Sequence, residues 1–442
     1  MKKRVVVVGG GWAGLCAALG LAERGVEVQL FEKRAVLGGR AYSYRAREAG
    51  HAVDNGQHLL MGCYHATMGF LGRIGAADRV EIQPELRVPF FHPLRGPATF
   101  ACAAAPSPLH LTLGAMRYTL LSPAERLQLV LGGLRIALRY RGGSAFTVAQ
   151  ALAAARQSGN LCKCFWNPLA IAVLNELPER ASADLFAEVL RRVFFAGRAA
   201  SCIVFPKVGL SDLCAEPAAR AIEDAAGRIE TGPAVREVAI RSGRATGVLI
   251  QDRPEIPADA VILAVPPPAL ASLLPTAVGV AAGFPAVEKL HGAPIVSVHF
   301  WFHKSFGSPR MAGFLDGPIH WLFTPPMQPE NGRYVTLVVS GAHELVVKTP
   351  DEILRIARGE LARYLPQTQN LQIADSLVVK ETNATFAATP EEQPHRARTR
   401  TPIANLFLAG DWTNTGLPAT LESAVLSGDQ AATAAAEYLA AA

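Results

Sequence analysis

Uninterrupted apolar runs occur near the start, in the second half and near the end of the chain. The run at residues 4–8 is typical of a strand buried on both faces of a parallel sheet. The pattern then predicts a helix over residues 12–24 and a second strand over residues 26–31. A strand at residues 260–265 and a helix at residues 420–439 follow much later. These segments predict an α/β fold whose sheet is assembled from distant parts of the chain.

Apolar and polar positions alternate over short segments in the second half of the chain. From residue 229 onward, strand-like runs are separated by turn signals. The clearest alternation, which predicts a second and largely antiparallel sheet, is found at residues 295–302, 319–324, 333–340 and 376–386. Pro350 and Asp351 open a predicted helix over residues 350–365. Residues 389–402 are polar and contain proline and arginine, so we expect a linker there.

Two apolar segments raise the question of membrane contact. A helix is predicted over residues 123–141, with Ser122 as N-cap and Pro123 in its first turn. It is apolar over most of its circumference, and its arginines fit either a core helix or a surface helix that dips into an anionic membrane. Residues 260–284 carry no charge and could span a bilayer, but four prolines interrupt them. For this second segment we expect a strand, a turn and a short helix.

The composition bounds the fold and the class of function. A chain of 442 residues exceeds one compact core, so two or more domains are expected. Half of the residues are hydrophobic and 18% are charged, which supports a large core and argues against disorder. The formal charge of +6 is mild and is not concentrated in a tail. An anionic cofactor or membrane surface therefore fits it as well as nucleic acid does.

The cysteines and the N-terminus indicate the compartment. The seven cysteines are scattered and none lies beyond Cys214, which is typical of a reducing compartment. Residues 1–22 imitate a signal peptide, but three glycines interrupt the apolar run, so we expect a cytoplasmic protein. Cys162 and Cys164 form a C-x-C pair without a second pair at zinc-site spacing. No metal site is expected there.

The first apolar strand leads into a glycine-rich turn. Gly9, Gly11 and Gly14 have G-x-G-x-x-G spacing, directly after a predicted strand and at the start of a predicted helix. The first glycine permits a tight turn, the second lets backbone amides approach a pyrophosphate, and the third lets helix pack on strand. Glu32 ends the second predicted strand, where an acid binds ribose hydroxyls. These features predict a Rossmann-type dinucleotide site.

Two further segments suit a long, extended cofactor. "GGR" at residues 38–40 follows the second strand, and Gly410 with Asp411 stands at the end of a predicted strand. A helix begins near Thr420, and its N-terminus offers free amide donors to an electron-rich edge. Helix N-termini from opposite ends of the chain could therefore contact the two ends of one cofactor.

The motifs "GGGWAG…FEK", "LGGR" and "AGDWT…P…ESAVLSG" resemble those of the flavin-containing amine oxidase and phytoene desaturase superfamily, which binds FAD. The resemblance implies an α/β Rossmann-type FAD-binding domain with an inserted α+β substrate domain. The FAD-binding domain would comprise residues 1–85, 200–285 and 400–442. The substrate-binding domain, including a helical part that could contact a membrane, would comprise residues 86–199 and 286–399.

The same resemblance assigns residues to FAD. The assigned set is Gly9, Gly11, Ala13, Gly14, Glu32, Lys33, Gly39, Arg40, Gly56, Gln57, His58, Val235, Gly410, Asp411, Thr420 and Leu421. Arg40 would lie near the pyrophosphate, and Asp411 near the ribitol and phosphate. The amides around Thr420 would face the flavin pyrimidine edge, and the backbone of Val235 would hold adenine. Because no cysteine follows Cys214, we expect FAD to be noncovalent.

Within this superfamily, "AVDNGQHLLMGCY" and "GDWTNTGLPATLESAVLSG" look most like the hydroxysqualene dehydroxylases. That resemblance implies reductive removal of an allylic hydroxyl from hydroxysqualene, an isoprenoid substrate, in the synthesis of squalene and hopanoids. Such chemistry needs a proton donor, a cavity whose aromatic walls tolerate an allylic cation, and reduced flavin as the hydride source. The candidate walls are Phe165, Trp166, Phe194, Phe195, Phe300, Trp301, Trp321 and Trp412. The candidate catalytic groups are His58, Gln57, Glu176 and Lys207, with Asp54 as a further proton donor.

Residues 52–71 concentrate polar groups in an apolar context and admit three interpretations. A metal site would use Asp54, His58 and His65, with Cys63 as a further candidate ligand. Asn55-Gly56 is a turn signal, however, and argues against the helix that would place Asp54 and His58 on one face. The order of the motifs places the segment beside the flavin in the resembling superfamily. We therefore interpret it as the cofactor wall, with no metal and with His58 as the group to test for chemistry.

Three other functions remain open. The same cofactor could serve a desaturase that oxidises an isoprenoid hydrocarbon, or an amine oxidase. The chain could also be a non-enzymatic subunit with a flavoprotein fold. No second G-x-G-x-x-G unit follows a strand, so the electrons would come from transiently bound NADPH or from a separate reductase. Peripheral contact with the inner face of the membrane is the remaining partner expectation.

Overall fold

The computed structural model describes residues 2–45, 52–274, 286–325 and 333–442. The strands are β1 (Arg4–Val8), β2 (Glu27–Glu32), β3 (Ser43–Arg45), β4 (Ala52–Asp54), β5 (Leu60–Met61), β6 (Val80–Ile82), β7 (Arg87–His92), β8 (Gly96–Ala101), β9 (Ile203–Pro206), β10 (Arg228–Thr231), β11 (Val235–Arg241), β12 (Arg244–Ile250), β13 (Ile256–Pro257), β14 (Ala260–Leu263), β15 (Gly292–Phe302), β16 (Met311–Phe314), β17 (Trp321–Phe323), β18 (Tyr334–Ser340), β19 (Ile373–Phe386) and β20 (Leu406–Leu408). The helices are α1 (Trp12–Ala22), α2 (His65–Arg73), α3 (Leu109–Arg117), α4 (Pro123–Arg139), α5 (Val148–Ala154), α6 (Gly159–Leu161), α7 (Asn167–Leu174), α8 (Ala183–Phe195), α9 (Glu216–Asp224), α10 (Pro267–Leu273), α11 (Pro350–Tyr364) and α12 (Leu421–Ala441). π-helical turns at Cys162–Trp166 and Ser211–Ala215 lead into α7 and α9.

A parallel sheet with the strand order β10-β2-β1-β14-β20 forms the first layer. Val5 and Val7 pack into a core shared with α1 and α12, while Val6 and Val8 pack into a core shared with the β11–β13 sheet. Because both faces are covered, β1 reads as an uninterrupted apolar run. The predicted strands and helices of this layer are confirmed, including the closing helix α12.

A seven-stranded sheet with the order β19-β15-β18-β17-β16-β7-β8 forms the second large layer. Its pairs are antiparallel, except that β16 runs parallel to β7. The expected, largely antiparallel sheet is therefore confirmed. Alternation along β15 divides its side chains: Val296 and Val298 pack into a core beneath α11, whereas Ile295 and Ser297 face a cavity on the other side.

The α-helical region α3–α8 packs against one end of this sheet. Helix α4 begins as predicted, since Ser122 accepts a hydrogen bond from the amide of Glu125, and the Glu125 side chain accepts one from the amide of Ser122. Leucines along its outer side remain exposed, with 55% of Leu127 and 47% of Leu131 accessible. In the described ranges, no helix combines the length and apolarity needed to cross a bilayer.

One expectation about the chain's organisation is wrong. Residues 389–402 do not form a solvated linker, because Thr389, Glu392 and Arg396 are buried and a 3₁₀ turn spans Gln393–His395. The segment packs beneath the loop that follows β20, because Arg396 donates hydrogen bonds to carbonyls of that loop. The expected strand and short helix at residues 260–284 occur as β14 and α10, although residues 275–285 lie outside the described ranges. The strands of the parallel and seven-stranded sheets fall within the two sets of domain ranges given above, and the domain division itself stays a prediction.

Candidate functional site

The glycine-rich turn joins β1 to α1 with little free space. Gly9 has φ of 107°, and a Cβ there would collide with the carbonyl oxygen of Ala264. A Cβ at Gly14 would likewise collide with the carbonyl oxygen of Gly9. A Cβ at Gly11, the N-cap of α1, would meet its nearest neighbour only at 3.6 Å. The turn therefore brings the positive end of α1 to an accessible surface, the geometry that binds phosphate.

The "GGR" loop packs directly on this turn. The amide of Gly38 donates to the carbonyl of Gly10 at 2.8 Å, and a Cβ at Gly39 would lie 2.9 Å from Cα of Gly11. Glu32 ends β2 beside the turn, with its Oε2 accepting from the amide of Gly10 at 2.7 Å. These contacts bring the predicted pyrophosphate and ribose groups together at the carboxyl ends of β1 and β2.

The other residues assigned to the adenosine half lie on three different segments of the chain. Ala13 is buried where α1 packs against α12, because a Cβ at Gly428 would collide with the Ala13 carbonyl. Lys33 is exposed directly after β2. Val235 pairs with Ile250 at the start of β11, three residues after Gly232, whose amide bonds the carbonyl of Glu32 at 2.8 Å.

The loop after β20 is held from two sides by arginines. Arg40 forms an ion pair with Asp411 and donates to the carbonyl of Ala384 at 2.9 Å. Arg396, 5% exposed, donates to the carbonyls of Asp411 and Thr413 at 3.3 and 2.5 Å. Burial lowers the pKa of Arg396 to about 10, and the Asp411 carboxylate partly offsets this effect. Sequence patterns do not reveal this role of Arg396, since an arginine in a polar segment ordinarily faces solvent.

Helix α12 begins at the other side of the same loop. Thr420 is its N-cap and accepts a hydrogen bond from the amide of Ser423 at 3.1 Å. Glu422 accepts from the amides of Ala66 and Thr67 at 3.0 and 2.9 Å, which fixes α2 to the start of α12. Leu421, in the first turn, lines the cavity described next, as does Thr420. Gly410 has φ of 141°, and its amide donates to Ser427 Oγ at 2.8 Å, which holds the loop against α12.

A cavity of about 390 Å³ connects these cofactor-facing residues with the seven-stranded sheet and the helical region. Arg40, Gln57, His58 and Thr420 contribute polar groups. The apolar walls include Leu59, Met61, Leu86, Val88, Phe90, Phe100, Leu111, Phe165, Leu169, Ile295, Met311, Trp321, Phe323 and Val338. A concave, mostly apolar site with a few converging polar groups is the usual form of a ligand pocket.

Two side chains from the polar segment at residues 52–71 face this cavity. The amide nitrogen of Gln57 is buried and has no hydrogen-bond partner in the described part of the chain. His58 Nδ1 lies 2.9 Å from the carbonyl of Gly56, which only accepts, so Nδ1 carries the proton. Burial lowers the pKa of His58, with Arg40 acting in the same direction. His58 therefore presents a bare Nε2 acceptor to the cavity, the reverse of a proton donor.

The remaining proposed proton donors do not line the cavity. Asp54 Oδ1 accepts from Ser43 Oγ at 2.7 Å and from the amide of Leu210 at 3.0 Å, and burial raises the pKa of Asp54 to about 6. It therefore joins β4 to the turn before α9. Glu176 is fully buried, with Oε1 2.9 Å from His343 Nε2. Lys207 is exposed after β9. None of these three groups therefore lines the described cavity, and a catalytic role for them stays a prediction.

The predicted aromatic walls are partly correct. Phe165 and Trp321 line the cavity, whereas Trp166, Phe300, Trp301 and Trp412 belong to packed cores or stacks elsewhere. The side chains of Phe194 and Phe195 lie outside the described part of the structure. Phe90, Phe100 and Phe323 line the cavity as well and were not predicted. Period-two alternation on β17 could have placed Phe323 on the same face as Trp321.

The described residues fit FAD. Among them, no group of three or more histidine, cysteine or acidic side chains is placed to bind a metal ion. The glycine turn and the start of α1 would hold the pyrophosphate, and Glu32 the ribose. Gln57, with its unpaired amide nitrogen, and the start of α12 would face the isoalloxazine ring. The site is therefore built from both ends of the chain.

Comparison with known proteins gives matches over nearly the whole chain. Residues 12–436 match the family model described as flavin containing amine oxidoreductase. Hydroxysqualene dehydroxylase from Rhodopseudomonas palustris is 31% identical over 435 residues, with 98% of each chain covered. The 15-cis-phytoene desaturase of Narcissus pseudonarcissus is 26% identical, with 96% of this chain and 78% of the relative covered.

Solved structures share the fold. An oxidoreductase from Methanosarcina mazei superposes with a TM-score of 0.77 at 19% identity, covering 97% of this chain and 99% of the other. Putrescine oxidase superposes with a TM-score of 0.71 at 16% identity, covering 100% of this chain and 99% of the other. The chain therefore belongs to the flavin-containing amine oxidoreductase family, as an FAD-dependent oxidoreductase related over nearly its full length to the hydroxysqualene dehydroxylases.

Proposed function

We propose that the chain removes the allylic hydroxyl of hydroxysqualene reductively, giving squalene and water. The observation that carries this proposal is the cavity, whose apolar walls adjoin the residues that face FAD. A long hydrocarbon can lie along these walls while one carbon approaches the cofactor. The full-length relation to proteins named hydroxysqualene dehydroxylase supports the same reaction.

The side chains around the cavity would position the substrate and stabilise positive charge. When bound, reduced FAD supplies a hydride to the substrate carbon. Trp321 and Phe323 on β17, with Phe165 opposite the sheet, present aromatic surfaces on which an allylic cation is attracted to the ring faces. The apolar walls exclude water, which would otherwise capture the cation. His58 Nε2 is an acceptor that can orient a hydroxyl through its O–H group.

The experiment compares reduction with oxidation on one preparation. Protein that has been reduced with dithionite under anaerobic conditions is incubated with hydroxysqualene, and squalene is measured by gas chromatography. Oxidised protein is incubated in parallel with phytoene, squalene and putrescine. We expect squalene from the first sample and no product from the others. Desaturated product with no squalene would instead support the second candidate, a hydrocarbon desaturase, which the relation to phytoene desaturases favours.

We also propose that the outer surface of α3 and α4 contacts an anionic lipid bilayer. Exposed leucines, here called the leucine stripe, lie at helical spacing on each of these helices: Leu109 (56%) and Leu113 (39%) on α3, and Leu127 (55%), Leu131 (47%), Leu134 (46%) and Leu138 (50%) on α4. Exposed Arg117, Arg135 and Arg139 flank the stripe and complement anionic headgroups. Burying a leucine fully contributes about 1.5–3 kcal/mol, so each half-exposed leucine could contribute roughly 1 kcal/mol.

The leucine stripe adjoins the cavity through α3. Leu111 lines the cavity, and Leu109 and Leu113 on the same helix are exposed. A substrate dissolved in lipid would therefore meet the enzyme close to the helix that borders its binding site. The two electrons consumed per turnover would come from NADPH or from a reductase. Rapid mixing of the oxidised protein with NADPH distinguishes these sources, since direct bleaching of flavin absorbance indicates the former.

A further inference from the structure

The proposed reaction needs an acid, and the described cavity lining contains few. Apart from arginine, the side chains there that carry an ionisable proton are His58, Cys63, Tyr64, Glu381 and Glu422. Arginine is excluded because its guanidinium stays protonated. The hydroxyl of an alcohol is a poor leaving group, so proton transfer to its oxygen must accompany cleavage of the C–O bond. The geometry of each group decides whether it can supply that proton.

Four of the five groups are unsuited to this role. His58 donates its only proton, on Nδ1, to the Gly56 carbonyl and presents an acceptor to the cavity. Burial raises the pKa of the Cys63 thiol to about 11 and also raises the pKa of the Tyr64 phenol, so both are weak acids. Both oxygens of Glu422 accept hydrogen bonds from the α2 backbone, at 2.9–3.0 Å, and join two helices.

Glu381 is placed differently. It lies on β19 with Val379, and period-two alternation turns both side chains toward the cavity, while Lys380 points away and bonds the Lys348 carbonyl. Across the β15–β19 pair it lies opposite Ile295, which also lines the cavity. In the described part of the chain, no hydrogen bond or ion pair occupies its carboxyl group.

Glu381 also lies on the cofactor side of the cavity. Burial, then Tyr42 and Glu381, raise the pKa of Tyr44, so the Glu381 carboxylate is close enough to act on that phenol. Tyr44 lies on β3, which pairs with β4 immediately before the Gln57–His58 segment. Three residues beyond Glu381, the carbonyl of Ala384 accepts a hydrogen bond from Arg40. The carboxyl group therefore faces the region where the reacting carbon must approach FAD.

We propose that Glu381 is the acid that protonates the departing hydroxyl. The Glu381 O–H bond breaks as its proton passes to the hydroxyl oxygen, and the C–O bond breaks with its electron pair leaving on water. The allylic cation then has a carboxylate beside it, which stabilises the positive charge until hydride from the reduced flavin completes the C–H bond. Glu381 would be reprotonated from solvent, and reduced flavin, when bound, would supply the two electrons.

Binding of the substrate itself would prepare Glu381 for this step. A hydrocarbon that fills the cavity displaces water, and desolvation favours the neutral, proton-bearing form of a carboxyl group that faces it. Glu381 would then have no charged partner to lose, since none of the described residues pairs with it. This assignment rests on the proposed dehydroxylation, and its test includes a measurement that does not require turnover.

The test compares Glu381→Gln with Glu391→Gln, an exposed acid outside the cavity. Both variants are first checked for wild-type flavin content. With hydroxysqualene and pre-reduced protein, we expect Glu381→Gln to form squalene at least about 100-fold more slowly and Glu391→Gln to stay within about twofold of wild type. With the allylic chloride analogue, whose leaving group needs no proton, we expect Glu381→Gln to react within about threefold of wild type.

Infrared difference spectroscopy gives the measurement without turnover. Adding hydroxysqualene to oxidised wild-type protein should produce the carbonyl band of a protonated carboxyl group, absent from Glu381→Gln and present in Glu391→Gln. Equal slowing of alcohol and chloride in Glu381→Gln, or an unchanged rate with the alcohol, would overturn the assignment. If wild-type protein forms squalene from neither substrate, the dehydroxylation proposal fails too. The band then reports only whether Glu381 is protonated when the ligand binds.

Discussion

Adding one methyl group at Gly14 tests the cofactor turn. A Cβ there would lie 1.9 Å from the carbonyl oxygen of Gly9 and 3.2 Å from the side chain of Ala264. The first separation is more than 1 Å shorter than van der Waals contact, so α1 or the Gly9 turn must move. Overpacking of this kind costs about 1–3 kcal/mol. Because Gly9 is pressed against Ala264 on its other side, we expect the turn to lose the geometry that binds pyrophosphate.

Gly359→Ala is the matched control, since Gly359 lies in α11 and a Cβ there meets no atom within 4 Å. It should stabilise the protein by about 0.5–1 kcal/mol, because alanine favours helix. Isothermal titration of FAD into deflavinated protein should show Gly14→Ala binding about 10- to 100-fold more weakly, given about 1.4 kcal/mol per tenfold, and Gly359→Ala binding normally. Wild-type FAD affinity in a folded Gly14→Ala protein would refute the reasoning.

The other predictions concern the buried polar groups and the leucine stripe. Arg396→Leu leaves loop carbonyls unpaired and should lower the free energy of unfolding by about 3 kcal/mol in urea denaturation, whereas the exposed Arg398→Leu should have little effect. Burial raises the pKa of Asp54 to about 6, from about 4 in the unfolded chain. The Asp54 carboxyl group therefore stays protonated to higher pH in the folded state than in the unfolded state. The contribution of Asp54 to the free energy of unfolding should therefore fall by up to about 3 kcal/mol between pH 4 and pH 6. Urea denaturation at several pH values across this range should show that Asp54→Asn abolishes the fall. An identical pH profile in the variant would contradict this prediction. The double variant Leu131→Glu and Leu134→Glu should cosediment at least about tenfold less than wild type with vesicles that contain phosphatidylserine, while its flavin content stays unchanged. Equal cosedimentation of variant and wild type would remove the case for a lipid-binding surface.

The cofactor end of the site could be predicted because local rules determine it. Gly9 and Gly14 each lie where a Cβ would strike backbone, and this need for glycine is visible in the spacing of the motif. The continuous apolar run of β1 likewise reflects burial on both faces, which needs no knowledge of its partners. Segments governed by their own periodicity or turn chemistry were therefore identified correctly.

The substrate end depends on packing between distant segments, which periodicity does not describe. Trp301 and Trp321 look alike in the sequence, yet Trp301 stacks on Tyr334 at a centroid distance of 4.8 Å while Trp321 lines the cavity. Arg396 lies in a segment whose polarity predicts a linker, but its guanidinium binds carbonyls of a loop that is close only in the folded chain. The alternation of Glu381 with Val379 predicts that both side chains lie on one face of a strand. Alternation does not indicate which face of the strand borders the cavity.

The central claim is that hydride passes from reduced FAD to the carbon that loses the hydroxyl. The most direct measurement is a single anaerobic turnover of dithionite-reduced protein with hydroxysqualene in D₂O, where the transferable hydrogen of the reduced flavin exchanges with solvent. Mass spectrometry and NMR of the product should show squalene carrying one deuterium at the carbon that bore the hydroxyl. Squalene without deuterium at that carbon, or flavin that stays reduced while substrate is consumed, would contradict the account.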